Sequence, residues 1–128
     1  MSFPIDDFIA GRLPAAGFDH RAHVEAGYHL LQRHGFADAA HAYARAITAM
    51  AAAAGAPDKF HMTITVAMLS AIAERMPDSC SNFDSFAAQH PELFDRTILL
   101  RHYSRERLQC PRARQTFLLP DRKEPPFA

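Results

Sequence analysis

Histidine is the side chain whose charge changes near neutral pH, and its neutral imidazole is a common ligand for transition metals. Residues 18–35, "FDHRAHVEAGYHLLQRHG", hold four of the chain's eight histidines. His20 and His23 stand three apart, which places both on one face if the segment is helical. A further histidine, His61, lies in "DKFHMT", and "RHYS" sets His102, Tyr103 and Ser104 side by side. Three imidazoles brought together would suit a metal ion with an open position for water or substrate. His102 would then be a fourth ligand, and Tyr103 and Ser104 hydroxyl groups able to donate or shuttle a proton. The metal would be Zn, Fe or Cu, since imidazole does not discriminate sharply among them.

The elements that must position these residues read as helices. Asp19 is placed to cap a helix running to about His34, with Val24, Gly27, Tyr28 and Leu31 as its apolar stripe and Gly35 as its stop. A second helix covers about Ala37–Ala54, with Tyr43, Ile47 and Met50 on one face, and "GAPD" ends it. A third runs from about Lys59 to Met76, with Asp58 as its cap and Phe60, Ile64, Ala67, Met68, Ala71 and Ile72 inward. A short helix over Phe83–Gln89 and another over Pro91–Tyr103 follow, the latter burying Leu93, Phe94, Ile98 and Leu99. After one or two further helical turns, Phe117–Leu119 are expected to pack on the bundle and 120–128 to form a loose tail. No run of alternating apolar and polar residues supports a strand. The expected fold is all-α: one domain over 1–128, an irregular bundle of about four main helices plus short ones and an extended C-terminal tail. Residues 1–17 supply a short helix and a loop.

Short connections make successive helices antiparallel, so the first and third long helices begin at the same end. His20, His23 and His61 all lie in first turns and therefore share a pole. The partial positive charge there disfavours imidazolium, and free N–H groups there can hold an anion. The remaining histidines have plainer readings. His29 and His41 fall on solvent faces, His34 sits at a helix end and His90 in a loop. No HExxH, GxSxG, CxxC or glycine-rich phosphate loop is present.

Composition bounds the rest. Eight histidines are roughly three times the ordinary share. Fourteen basic and fourteen acidic residues leave no net charge, which argues against a nucleic-acid partner. The arginines of the C-terminal third are diluted by Glu106 and Asp121. The N-terminus lacks a secretory pattern and "AITAMAAAAGA" is too short to span a bilayer, so a cytoplasmic protein without a membrane partner is expected. Cys80 and Cys110 have no metal-ligand spacing and read as reduced thiols.

At "FDHRAH", "DKFHMT", "RHYSRERL" and "PRARQTFLLPD" the chain resembles a family of small bacterial proteins of unknown function. Its members read FxHRxHL, KYHET and YYS followed by an AR…F…PD segment, and the resemblance spans about Phe18–Asp121. It singles out His20, His23, His61, Tyr103 and Ser104. The family pattern has an acidic residue after the third histidine, where this chain has Met62.

The leading expectation is a small metal-dependent enzyme or metal-binding protein acting on a small molecule. Two alternatives stand beside it. One is a metal-free module that captures a small anion with the histidines and Arg21 or Arg101. The other is a structural protein that forms a homodimer through its alanine-rich second helix.

Overall fold

The computed structural model describes residues 3–78 and 82–122. Cys80, most of the "DSCSN" turn and the end of the tail (123–128) lie outside the described residues. The chain is all-α, with no strand among those residues. Its helices are α1 (Ile5–Ile9), α2 (His20–Arg33), α3 (Phe36–Ala53), α4 (Met62–Arg75), α5 (Phe83–Gln89), α6 (Arg105–Gln109) and α7 (Pro111–Gln115), with 3-10 turns between some of them.

Helix α2 runs through the centre and is apolar on two sides. Val24 and Tyr28 join α4, α5 and the 3-10 turns in one core. Ala26 and Leu30 face α1 and α3 in the other. The predicted stripe captured the first side and missed Leu30, which is fully buried. Gly27 marks a close approach of α2 to α4: a Cβ there would stand 2.9 Å from Ile72 Cδ1 and 3.2 Å from Leu69 Cδ1.

Helix boundaries follow local chemistry, with three departures from expectation. Asp19 caps α2 as predicted, its carboxylate accepting from the Ala22 amide at 2.9 Å. Gly35, however, adopts ordinary extended backbone (φ −64°) and opens α3 instead of closing α2. The left-handed residue of this region is Gly55 (φ +74°), which ends α3 with its amide on the Ala52 carbonyl. Asp58 does not cap α4. Pro57–Lys59 form a separate 3-10 turn, and the capping side chain is His61.

The Pro91–Tyr103 segment is not one helix but two 3-10 turns, Pro91–Phe94 and Ile98–Arg101. Between them the Asp95 carboxylate takes the Thr97 amide (2.9 Å) and hydroxyl (2.7 Å). Such local bonding competes with helix continuation. Leu93, Ile98 and Leu99 are buried all the same.

The chain after α7 is a strap over α4 and α6, held by side chains. Thr63, fully buried in α4, donates to the Thr116 carbonyl (2.7 Å) and accepts from the Leu118 amide (3.0 Å). Asp121 and Arg122 are tethered rather than loose. Asp121 accepts from the Ser104 amide and hydroxyl, and Arg122 donates to the His102 and Leu100 carbonyls. Phe117 and Leu119, expected to pack inward, are exposed; only Leu118 is half-buried. Thr63→Val keeps the side-chain shape and strands two backbone groups. It should cost about 1–3 kcal/mol in urea unfolding, and a loss below about 0.5 kcal/mol would show that water replaces both bonds.

Candidate functional site

His20, His23 and His61 line one hollow of about 630 Å³ at the end of the bundle where α2 and α4 begin. The shared pole inferred from antiparallel connections is therefore the arrangement found. Its walls are largely apolar, with Ile47, Ile64, Met68, Leu99 and Leu108 among them.

The hydrogen bonds define the state of each ring. A backbone carbonyl can only accept, so a ring nitrogen bonded to one must carry the proton. His20 donates from Nε2 to the Leu93 carbonyl (2.8 Å). His23 donates from Nδ1 to the Asp19 carbonyl (2.8 Å). In their neutral forms these rings keep His20 Nδ1 and His23 Nε2 as lone-pair acceptors. His61 differs. Its Nε2 donates to the Leu108 carbonyl (2.6 Å), while its Nδ1 accepts from the Ile64 amide (3.1 Å) as the cap of α4. Both of its nitrogens are engaged, and the residue is buried. Among the described residues no group of three or more His, Cys, Asp or Glu side chains is placed to hold a metal ion.

His23 is set by its surroundings. Phe18 packs edge-on against the ring at 4.5 Å between centroids, and the Tyr43 hydroxyl holds the His23 carbonyl (2.8 Å). Burial lowers its pKa below the ordinary 6.5, opposed by the bond to Asp19 and assisted by His20 and Arg96. The folded protein therefore keeps His23 neutral where the unfolded chain would protonate it. Between the two pKa values the unfolded state binds more protons, so stability rises with pH there. Acidification from pH 7 through 6.5 and below should lower the unfolding midpoint, and His23→Gln should flatten that slope. An unchanged slope in the variant would assign the titration to another group.

Three cations also line the hollow: Lys59, Arg96 and Arg105. None has a carboxylate partner among the described residues, whereas Arg12, Arg21, Arg33 and Arg75 each have one. Among the described residues Asp19 is the one acidic residue in the lining, and one of its oxygens is used on the α2 cap. The cation expected here from the sequence was Arg21 or Arg101. Arg21 instead lies over the Phe83 and Phe94 rings and faces Asp84, and Arg101 lines a different hollow. Nothing in the local sequence separates Arg96 and Arg105 from the other arginines, because their placement depends on the 3-10 turns and α6.

"RHYS" does not reach the histidines. His102 is exposed and, with Tyr103, borders a second hollow beside Ser70, Glu74 and Arg75. The Tyr103 hydroxyl is spent on the Leu118 carbonyl (2.7 Å), and burial pushes its pKa up. Ser104 caps α6, accepting from the Arg107 amide (3.1 Å) while it donates to Asp121 (2.6 Å). Both hydroxyls secure the strap. His34 ends α2 and His41 is exposed, both as expected. His90 does have a partner, the Glu92 carboxylate at 3.5 Å. His29, expected in solvent, is half-buried on the Phe3 ring with Glu25 at 3.7 Å.

Comparison with known proteins gave no matching protein family, no matching curated protein and no matching solved structure. No helix among the described residues is long and apolar enough to cross a membrane.

Proposed function

We propose that the hollow binds a small anionic molecule through Lys59, Arg96 and Arg105, with the open nitrogens of His20 and His23 beside it, placed to accept a hydrogen bond or a proton from a hydroxyl or other protonated group of the same molecule. The observation that carries this reading is the set of three cations without a carboxylate partner among the described residues, Lys59, Arg96 and Arg105, on the same apolar-walled space as two imidazoles with open nitrogens. A bound carboxylate or phosphate would meet charge-assisted donors there. A neutral imidazole beside it is suited to general-base work, with the ring held in one tautomer by its backbone carbonyl. Titration with butanoate, followed through the imidazole ¹⁵N signals, tests the reading. Saturable shifts at His20 and His23, absent at His34 and His41 and unaffected by EDTA, are expected. Unmoved signals would remove it.

A second reading is the metal centre, favoured by one observation. Each of the three rings donates its other N–H to a backbone carbonyl, which is how metal-bound histidines are oriented in general. Zn, Fe or Cu bound there would require His61 to release the Ile64 amide. Stoichiometric metal in protein purified without an affinity tag, with EDTA lowering the unfolding midpoint, would favour this reading over the first.

A further inference from the structure

The histidine hollow does not end at His23. A second space of about 290 Å³ adjoins it, and Phe18, His23, Ile47 and Lys59 line both. Beyond those shared residues its lining among the described residues is apolar: Ala15, Met50, Ala51, Ala54, Ala56 and Phe60. Among the described residues Lys59 is its one charged residue and His23 its one other polar side chain, and both also line the first space. A polar ligand would leave its donors and acceptors unmatched in such a space, whereas an apolar chain loses nothing there. The alanines at the end of α3 leave a floor without projecting side chains. Charge lies in the first space, where Arg96 and Arg105 join Lys59 and the two imidazoles.

We propose that the two spaces form one channel for an amphipathic anion, its head among Lys59, Arg96, Arg105 and the imidazoles and its unbranched apolar chain along Ala51, Ala54 and Ala56. This rests on the anion-binding reading above and names the ligand class for it. The shared chemistry is an acidic head on a linear chain, either a carboxylate or a phosphate monoester.

Calorimetric titration with butanoate, octanoate, decanoate, decyl phosphate and decanol tests the channel, using the wild type and Ala51→Leu/Ala54→Leu. Ala51 is half-buried and Ala54 exposed, so leucine there extends into the channel rather than into the core. Affinity of the wild type should climb about two- to fourfold per methylene from butanoate to decanoate. In the double variant decanoate should weaken at least about tenfold while butanoate stays within about twofold. Circular dichroism checks the helix content, and Ala54→Leu alone carries the test if the pair disturbs α3. Decyl phosphate binding tighter or weaker than decanoate assigns the head group, and either result supports the channel. Equal affinity at all chain lengths, full decanoate affinity in the leucine variant, or decanol binding as tightly as decanoate would each overturn it. In those cases butanoate still binds and the anion site stands. Loss of the butanoate response itself would instead remove the site.

Discussion

His61→Ala is expected to destabilise the protein by about 2–4 kcal/mol. Two interactions vanish together. The α4 cap at the Ile64 amide is worth about 1 kcal/mol, and the Leu108 carbonyl loses its 2.6 Å donor in a part-buried setting at about 1–3 kcal/mol. His61→Asn should recover the cap, since asparagine is among the best N-cap residues, but its shorter side chain does not reach Leu108. The expected order in urea unfolding is therefore wild type, then Asn, then Ala, and EDTA should not change it. If His61 is chiefly a metal ligand, the two variants should fall together, and chelation should bring the wild type down to them.

Arg96→Gln/Arg105→Gln should leave the fold nearly intact and weaken octanoate binding roughly 30-fold. Both side chains are exposed, so each contact with an anion is screened and worth only about 1 kcal/mol, or about fivefold. Neither arginine has a carboxylate partner among the described residues, so their removal strands no buried charge. Stability should change by less than about 0.5 kcal/mol. Salt should mimic the variant, because raising ionic strength shortens the reach of the same charges. Wild-type binding that is insensitive to both salt and the double substitution would place the anion elsewhere.

The shared pole of His20, His23 and His61 was legible because it needs only helix number and short connections. Residue roles within that pole were not. Asp58 and His61 stand three apart in a segment rich in capping types, and the Pro57–Lys59 turn moved the start of α4 past the aspartate. That shift turned His61 from a first-turn residue into the cap itself. "RHYS" was misplaced for a related reason. A continuous helix from Pro91 would have carried it towards the histidines, and the Asp95–Thr97 bonds broke that helix. Tyr103 and Ser104 then became fasteners for Leu118 and Asp121, residues too distant in the chain for periodicity to link.

By itself the amino-acid order determined the helical class, the α2, α3 and α5 segments to within a residue or two, the Asp19 cap and the stop at Gly55. All of these are decided by groups within about one turn of each other, where spacing and side-chain type suffice. Tertiary structure alone decided which imidazole nitrogens remain open, which arginines have no carboxylate partner among the described residues, and that an alanine-lined space adjoins the histidine hollow. Those properties depend on carbonyls and side chains supplied from distant segments, Leu93 for His20 and Leu108 for His61. A lone pair is open or closed only once the chain has brought its partner to it.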